Sequence, residues 1–264
     1  MARWLAWLAV PLSVSVLACT TSPTGRSRLA VFPDAQMNQM GITAFDELKK
    51  EIPVSGDARA QAYVRCVAGA ITREVKTPGA PSSWEVVVFQ DDSANAFALP
   101  GGKIGVHTGL FQVAKNQDQL AAVIGHEVAH VLAGHSNERA STQLATQGAM
   151  EALSVLSGPA SPGKSQVLAV LGVGAQVGVI LPFSRAQESE ADVLGLDLMA
   201  SAGFDPNAGP ALWENMAKLG GSPPELLSTH PSSATRIAAL RERVKTALPI
   251  QTKARAAGKR PSCG

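Results

Sequence analysis

The sequence predicts an α+β chain, mainly helical, with one small antiparallel sheet beside a long central helix. Three observations carry this expectation. Apolar residues recur at helical spacing, as Ala62, Val64, Val67, Ala68 and Ile71 do between Pro53 and Pro78. WEVVVFQ (Trp84 to Gln90), β-branched and aromatic, is the clearest strand. NAFALPGGKIGVHTG (Asn95 to Gly109) sets Pro100-Gly101-Gly102 between two short apolar stretches and reads as a hairpin.

Taken in order, the chain opens with Arg3 and then WLAWLAVPLSVSVLA, an apolar run of signal-peptide length. Its proline and two serines make it a poor permanent span, so residues 1–18 are expected to be removed. The run ends in Val16-Leu17-Ala18-Cys19, which resembles the lipobox of bacterial lipoproteins. The mature chain would then begin at Cys19, acylated, palmitate included, and held at a membrane without a spanning helix. Plain secretion with an incidental Cys19 is the competing reading. Thr20 rather than aspartate after the cysteine implies the outer membrane, with the chain facing the periplasm.

Residues 19–35, rich in Ser, Thr and Pro, read as a lipid-anchored tether, and the domain is expected to span 36–248. Helices are expected over 37–51 and 57–76, then the sheet, then a helix from about Gln117, capped by Asn116 with Gln119, into the 130s. The piece 166–181 (QVLAVLGVGAQVGVIL) is too short for a comfortable span and reads as a buried or membrane-apposed helix. Further helices are expected over 186–202, 206–218 and 233–247, followed by a basic tail, 249–264, without structure. Cys66 and Cys263 stand in an oxidising compartment, where a disulfide and two unpaired thiols are both open readings.

Composition excludes little. At 264 residues, 45% hydrophobic and 17% charged, the chain can bury one sizeable core, and a net charge of +2 gives no reason to expect a nucleic-acid partner.

The chemistry lies in VIGHEVAHVLAGH (Val123 to His135), read as part of one helix. His126 and His130 are i and i+4, one turn apart on one face, and can aim their rings at a single ion beside Glu127. Zn²⁺, one per chain, is the natural occupant, since it lowers the pKa of bound water towards about 7 and Glu127 can take the proton. His135, continued along the same helix at about 100° per residue, points to the far side and is expected to pack or cap there. A carboxylate is needed as third ligand, and PFSRAQESEADVLGLDLM (Pro182 to Met199) supplies Glu188 and Asp192 on one face, with Glu190 projecting away. Glu188 as ligand and Asp192 holding a histidine N–H suit one site. His107 is expected to be structural.

HEVAH followed by SRAQESEADVLG, with NAFALPGGKIGVHTGL ahead and STHPSSATRI (Ser228 to Ile237) behind, resembles the M48 zinc metallopeptidases and, within them, the periplasmic lipoprotein branch (LoiP-like and BepA-like). The resemblance implies a gluzincin-type zincin fold and a metalloendopeptidase. It implies His126, His130 and Glu188 as zinc ligands, Glu127 as general base and Asp192 as their support. His230 would be a regulatory fourth ligand or merely a helix-entry histidine, and Arg236 an oxyanion-stabilising group or merely a surface salt bridge. Asn95 and Ala96 would pair with an extended substrate strand. The implied substrates are misfolded or unassembled envelope proteins, as protein quality control. The alternative is a largely latent chaperone-like or assembly factor of the outer membrane with His230 closing the zinc site.

Overall fold

The computed structural model describes residues 19–154, 183–217, 225–231 and 234–264. The expected leader, 1–18, and the apolar piece 166–181 lie outside them. The described residues form β1 (Cys19–Thr21), β2 (Ser27–Leu29), α1 (Asp34–Glu51), α2 (Ala58–Thr72), β3 (Glu85–Phe89), β4 (Ala96–Leu99) and β5 (Lys103–His107). They continue as α3 (Gln117–Leu132), α4 (His135–Ser154), α5 (Arg185–Ser201), α6 (Ala208–Ala217), α7 (Glu225–Thr229) and α8 (Ala234–Ala256). The fold is α+β and mostly helical, as expected.

The three-stranded sheet has the order β3-β5-β4. It is mixed rather than antiparallel: β4 and β5 form the hairpin, with Leu99 opposite Lys103, but β5 returns between β4 and β3 and runs parallel to β3. The turn needs its two glycines, since Gly101 and Gly102 both have positive φ and a Cβ on Gly102 would lie 2.1 Å from the Ser83 carbonyl oxygen.

Period-two alternation splits the core into two layers. Val88, Ala96, Ala98, Ile104 and Val106 face the main core with α2, α3, α5, α6 and α8. Val87, Phe89, Phe97 and Leu99 face α1, where Phe45 meets Phe89 and Phe97 edge-on at 5.8 and 6.2 Å. Phe97 lies over Gly105, which has no room for a side chain.

One sheet edge is closed. The buried Gln61 amide accepts from the Val88 N–H at 3.2 Å and donates to its carbonyl at 3.0 Å, taking the place of a neighbouring strand on β3. The opposite edge is β4, which among the described residues pairs only with β5.

Both termini correct the sequence expectation. Residues 19–29, expected as a tether, form a docked antiparallel hairpin, Cys19 opposite Leu29. Arg26 forks onto Glu138 of α4 at 2.6 Å and reaches Glu190 of α5 at 2.9 Å, and Arg28 donates to the Ala133 carbonyl at the end of α3. Composition misleads here because two arginines, rather than an apolar face, hold the segment.

The tail, expected to lack structure, continues α8 through Pro249 to Ala256. In its last turn Arg255 donates to the Gly203 carbonyl at 2.8 Å, and beyond the helix Lys259 pairs with Glu74 at 2.6 Å and the Cys263 N–H donates to Gln117 at the start of α3. A disulfide joins Cys66 of α2 to Cys263 across 197 residues. Closing a loop of that length constrains the unfolded chain strongly. Replacing both cysteines by serine is expected to lower unfolding free energy by about 2–5 kcal/mol in urea melts. An unchanged midpoint would show that the polar contacts alone hold the tail.

Candidate metal centre

Asn116 caps α3 by accepting the Gln119 N–H at 2.9 Å, and Gln119 returns the bond by accepting the Lys115 N–H at 2.7 Å. On its buried face α3 carries His126, Glu127 and His130, each no more than 3% exposed. α5 begins with a capping box between Ser184 and Gln187, which brings Glu188 into its first turn with Asp192 one turn further. The two helices cross at Gly125 and Gly195, backbone against backbone: a Cβ on Gly195 would lie 2.8 Å from the His126 nitrogen. This crossing lets the ligands converge.

The His126 and His130 Nε2 atoms are 3.1 Å apart, and Glu188 places Oε2 3.5 Å from the first and Oε1 3.5 Å from the second. His230, just after α7, sets Nδ1 3.2 Å from His126 Nε2 and 2.8 Å from Glu188. Ligand atoms of all four lie within 4.8 Å of one another. Four donors about 2.0–2.1 Å from a tetrahedral ion are separated by about 3.3 Å, so these residues fit one. Imidazole and carboxylate donors suit a first-row divalent cation.

Charge points the same way. Glu127, Glu188 and Asp192 are buried together, with Arg236 bridging the last two and Arg139 acting on Glu188, and a cluster of buried carboxylates of this kind favours a divalent cation. Burial opposes a charge on His126, yet Asp192 and Glu188 raise it to about 9. Burial, with His126 alongside, drives His130 well below its ordinary value. Glu188, despite burial, is held below the usual carboxylate range by His230 and His126, whereas burial raises Glu127.

Asp192 Oδ1 faces His126 Nδ1 at 3.1 Å and fixes which ring nitrogen turns to the ion. Arg236 holds Asp192 in turn, through Nε at 2.7 Å and Nη2 at 2.8 Å, while stacked 4.0 Å over Trp213. It also reaches Glu188 at 2.5 Å and is buried, so it is no surface salt bridge. In this arrangement the guanidinium positions the two carboxylates.

Glu127 joins the centre to the sheet, because α3, which carries it, packs against β4 and the Ala98 backbone acts on its carboxylate. The Asn95 carbonyl accepts the His107 N–H at 3.0 Å, so pairing with β5 uses the odd-numbered residues and the main-chain groups of Ala96 and Ala98 turn to the open edge. His107 lies away from the metal centre, with Ser93 Oγ 2.7 Å from its Nδ1 and its ring between Phe89 and Phe97.

His135 departs from expectation. The helix does not continue through it: α3 ends at Leu132, Gly134 takes φ +64°, and His135 opens α4. The angular argument for a far-side position therefore fails. The ring returns to the centre, Nδ1 2.8 Å from His130 Nδ1, and Nε2 lies 3.1 Å from Glu190. His135 remains outside the ligand set, but it touches a ligand. Gly134 after the last periodic residue was the available signal.

Residues 58–244 match peptidase family M48. The chain is 36% identical over 218 residues to the mitochondrial metalloendopeptidase OMA1 of Schizosaccharomyces pombe, covering 80% of this chain and 63% of that one. It is 31% identical over 246 residues to the beta-barrel assembly-enhancing protease of Escherichia coli, covering 88% and 49% respectively. The chain thus spans about half to two thirds of the length of these curated relatives. With a buried histidine and glutamate cluster that fits one cation and a family match across most of its length, the chain belongs to peptidase family M48.

Proposed function

We propose that the chain is a zinc endopeptidase that cleaves extended segments of misfolded or unassembled envelope proteins. The observation that carries this is the placement of Glu127, buried beside the ligand histidines, on the helix α3 that packs against β4, whose other edge is open. It puts a peptide-binding edge and a general base in one place. His126, His130 and Glu188 hold the Zn²⁺, which when bound supplies Lewis acidity and a water of lowered pKa.

The rest belongs to the chain's own groups. A substrate strand adds to β4 main chain to main chain through Ala96 and Ala98, the expected Asn95 being already paired with His107 of β5, so selection falls on unfolded segments more than on side-chain sequence. Glu127 takes the proton of the attacking water and returns it to the leaving amine, and its raised affinity for protons suits the return. Arg236 fixes Asp192 and Glu188, and stabilising an oxyanion would require part of that grip to be released.

An outer-membrane location rests on acylation of Cys19, which is exposed at the start of β1. Among the described residues no helix is long and apolar enough to cross a membrane. A second reading, latency, has its own observation: His230 Nε2 lies 3.4 Å from Glu127, with its ring among the ligands, where it would hold the ion as a fourth ligand in place of water.

The test is degradation of an unfolded outer-membrane barrel protein against its folded form, by wild type and His230→Ala, with and without chelator. We expect cleavage of the unfolded form alone, lost on chelation and restored by Zn²⁺, and faster in His230→Ala. Equal cleavage of both forms would remove the substrate reading. A His230→Ala protein that lost its zinc would make His230 a structural ligand.

A further inference from the structure

We infer that the N-terminal hairpin is part of the metal centre: Thr24 and Arg26, acting through Glu190 and His135, set the orientation and tautomer of the ligand His130 and hence the affinity for the ion. This rests on the metal site just described and adds positioning residues from a segment outside the family match.

The chain of contacts is continuous. Glu190 is 5% exposed, and its two oxygens meet the Thr24 hydroxyl and Arg26 Nε, the latter at 2.9 Å. The oxygen that meets Arg26 also faces His135 Nε2 at 3.1 Å, and His135 is fully buried. Its Nδ1 lies 2.8 Å from His130 Nδ1, and two ring nitrogens at that distance share one proton. A carboxylate only accepts, so His135 donates from Nε2 and offers a lone pair at Nδ1. His130 must then donate from Nδ1, which leaves its Nε2 lone pair turned towards His126 and Glu188.

The two ligand histidines of α3 thus have matching supports. His126 leads to Asp192 and then Arg236. His130 leads to His135, Glu190 and then Arg26. The second line is the longer and leaves the domain core for the hairpin. The hairpin also secures the elements through which it acts. Arg26 forks onto Glu138 of α4, and Arg28 donates to the Ala133 carbonyl beside Gly134, where α3 gives way to α4. A pure brace would explain these last contacts without affecting the ion.

The test uses the full chain as wild type, Arg26→Ala, Arg26→Lys, Thr24→Val and Glu190→Gln. Three quantities are measured: Zn²⁺ affinity by competition with a chromophoric chelator, the visible absorption bands of the Co²⁺-loaded protein, and the melting temperature without metal. Arg26→Ala and Glu190→Gln are expected to weaken Zn²⁺ binding by about 10–100-fold and to shift the Co²⁺ bands. Thr24→Val, nearly isosteric, is expected to do so less, and Arg26→Lys to regain most of the affinity by keeping a cation on Glu190. Unchanged affinity and bands beside a lowered melting temperature would overturn the proposal and leave the hairpin a brace. A wild type that bound neither Zn²⁺ nor Co²⁺ would instead overturn the metal reading beneath it.

Discussion

Glu127→Gln is expected to slow peptide hydrolysis by about 10²–10⁴-fold while leaving the metal bound. Glutamine matches the buried volume of Glu127, so the packing of α3 against β4 survives. It cannot take a proton. His126, His130 and Glu188 are untouched, so metal content measured on the purified variant should equal that of wild type. The same substitution separates the two classes of function. A chaperone or assembly factor needs the edge strand and the fold but no base, and would keep its effect on barrel assembly in the variant. Peptide cleavage followed by mass spectrometry supplies the measurement, and undiminished turnover in Glu127→Gln would sink the proposed chemistry.

What was legible in the sequence follows periodicity and covalent spacing. His126 with His130, and Glu188 with Asp192, share a face because one helical turn separates them, and the structure brings both pairs together. The β4–β5 hairpin was legible from its glycines, and the α3 cap from Asn116 and Gln119. The failures also have physical reasons. His135 was projected along a helix that Gly134 ends, and one residue of positive φ turned a far-side histidine into the neighbour of a ligand. Glu190 does project away from Glu188 and Asp192, as the helical wheel demands, but the wheel cannot say that a hairpin far away in sequence waits there with Thr24 and Arg26. The parallel pairing of β3 with β5 is a topological choice that strand patterns do not encode. The tail looked unstructured because its contacts are a disulfide and long-range polar bonds rather than an apolar stripe.

Gly195→Ala is expected to weaken metal binding by at least about tenfold although no ligand is altered, because the two halves of the ligand set ride on helices that meet backbone to backbone at their crossing. His126 and His130 belong to α3 and Glu188 to α5. At their crossing, a Cβ on Gly195 would lie 2.8 Å from the His126 nitrogen, 2.9 Å from its Cα and 3.0 Å from the Gly125 carbonyl carbon. None of these is the tip of a side chain that could swing aside, so the helices themselves must part. The oxygens of Glu188, Oε2 now 3.5 Å from His126 Nε2 and Oε1 3.5 Å from His130 Nε2, would recede with α5. Intrinsic propensity opposes this outcome, since alanine favours a helix interior over glycine by about 1 kcal/mol. Overpacking at such a contact costs about 1–3 kcal/mol, which offsets or exceeds that gain. Gly69 of α2 makes the control: a Cβ there meets Arg73 at an ordinary 3.5 Å, so Gly69→Ala should raise the melting temperature and leave Zn²⁺ affinity unchanged. Chelator competition and thermal melts on the two variants separate helix propensity from helix approach. A Gly195→Ala protein that bound Zn²⁺ like wild type would show that the crossing can open without disturbing the centre.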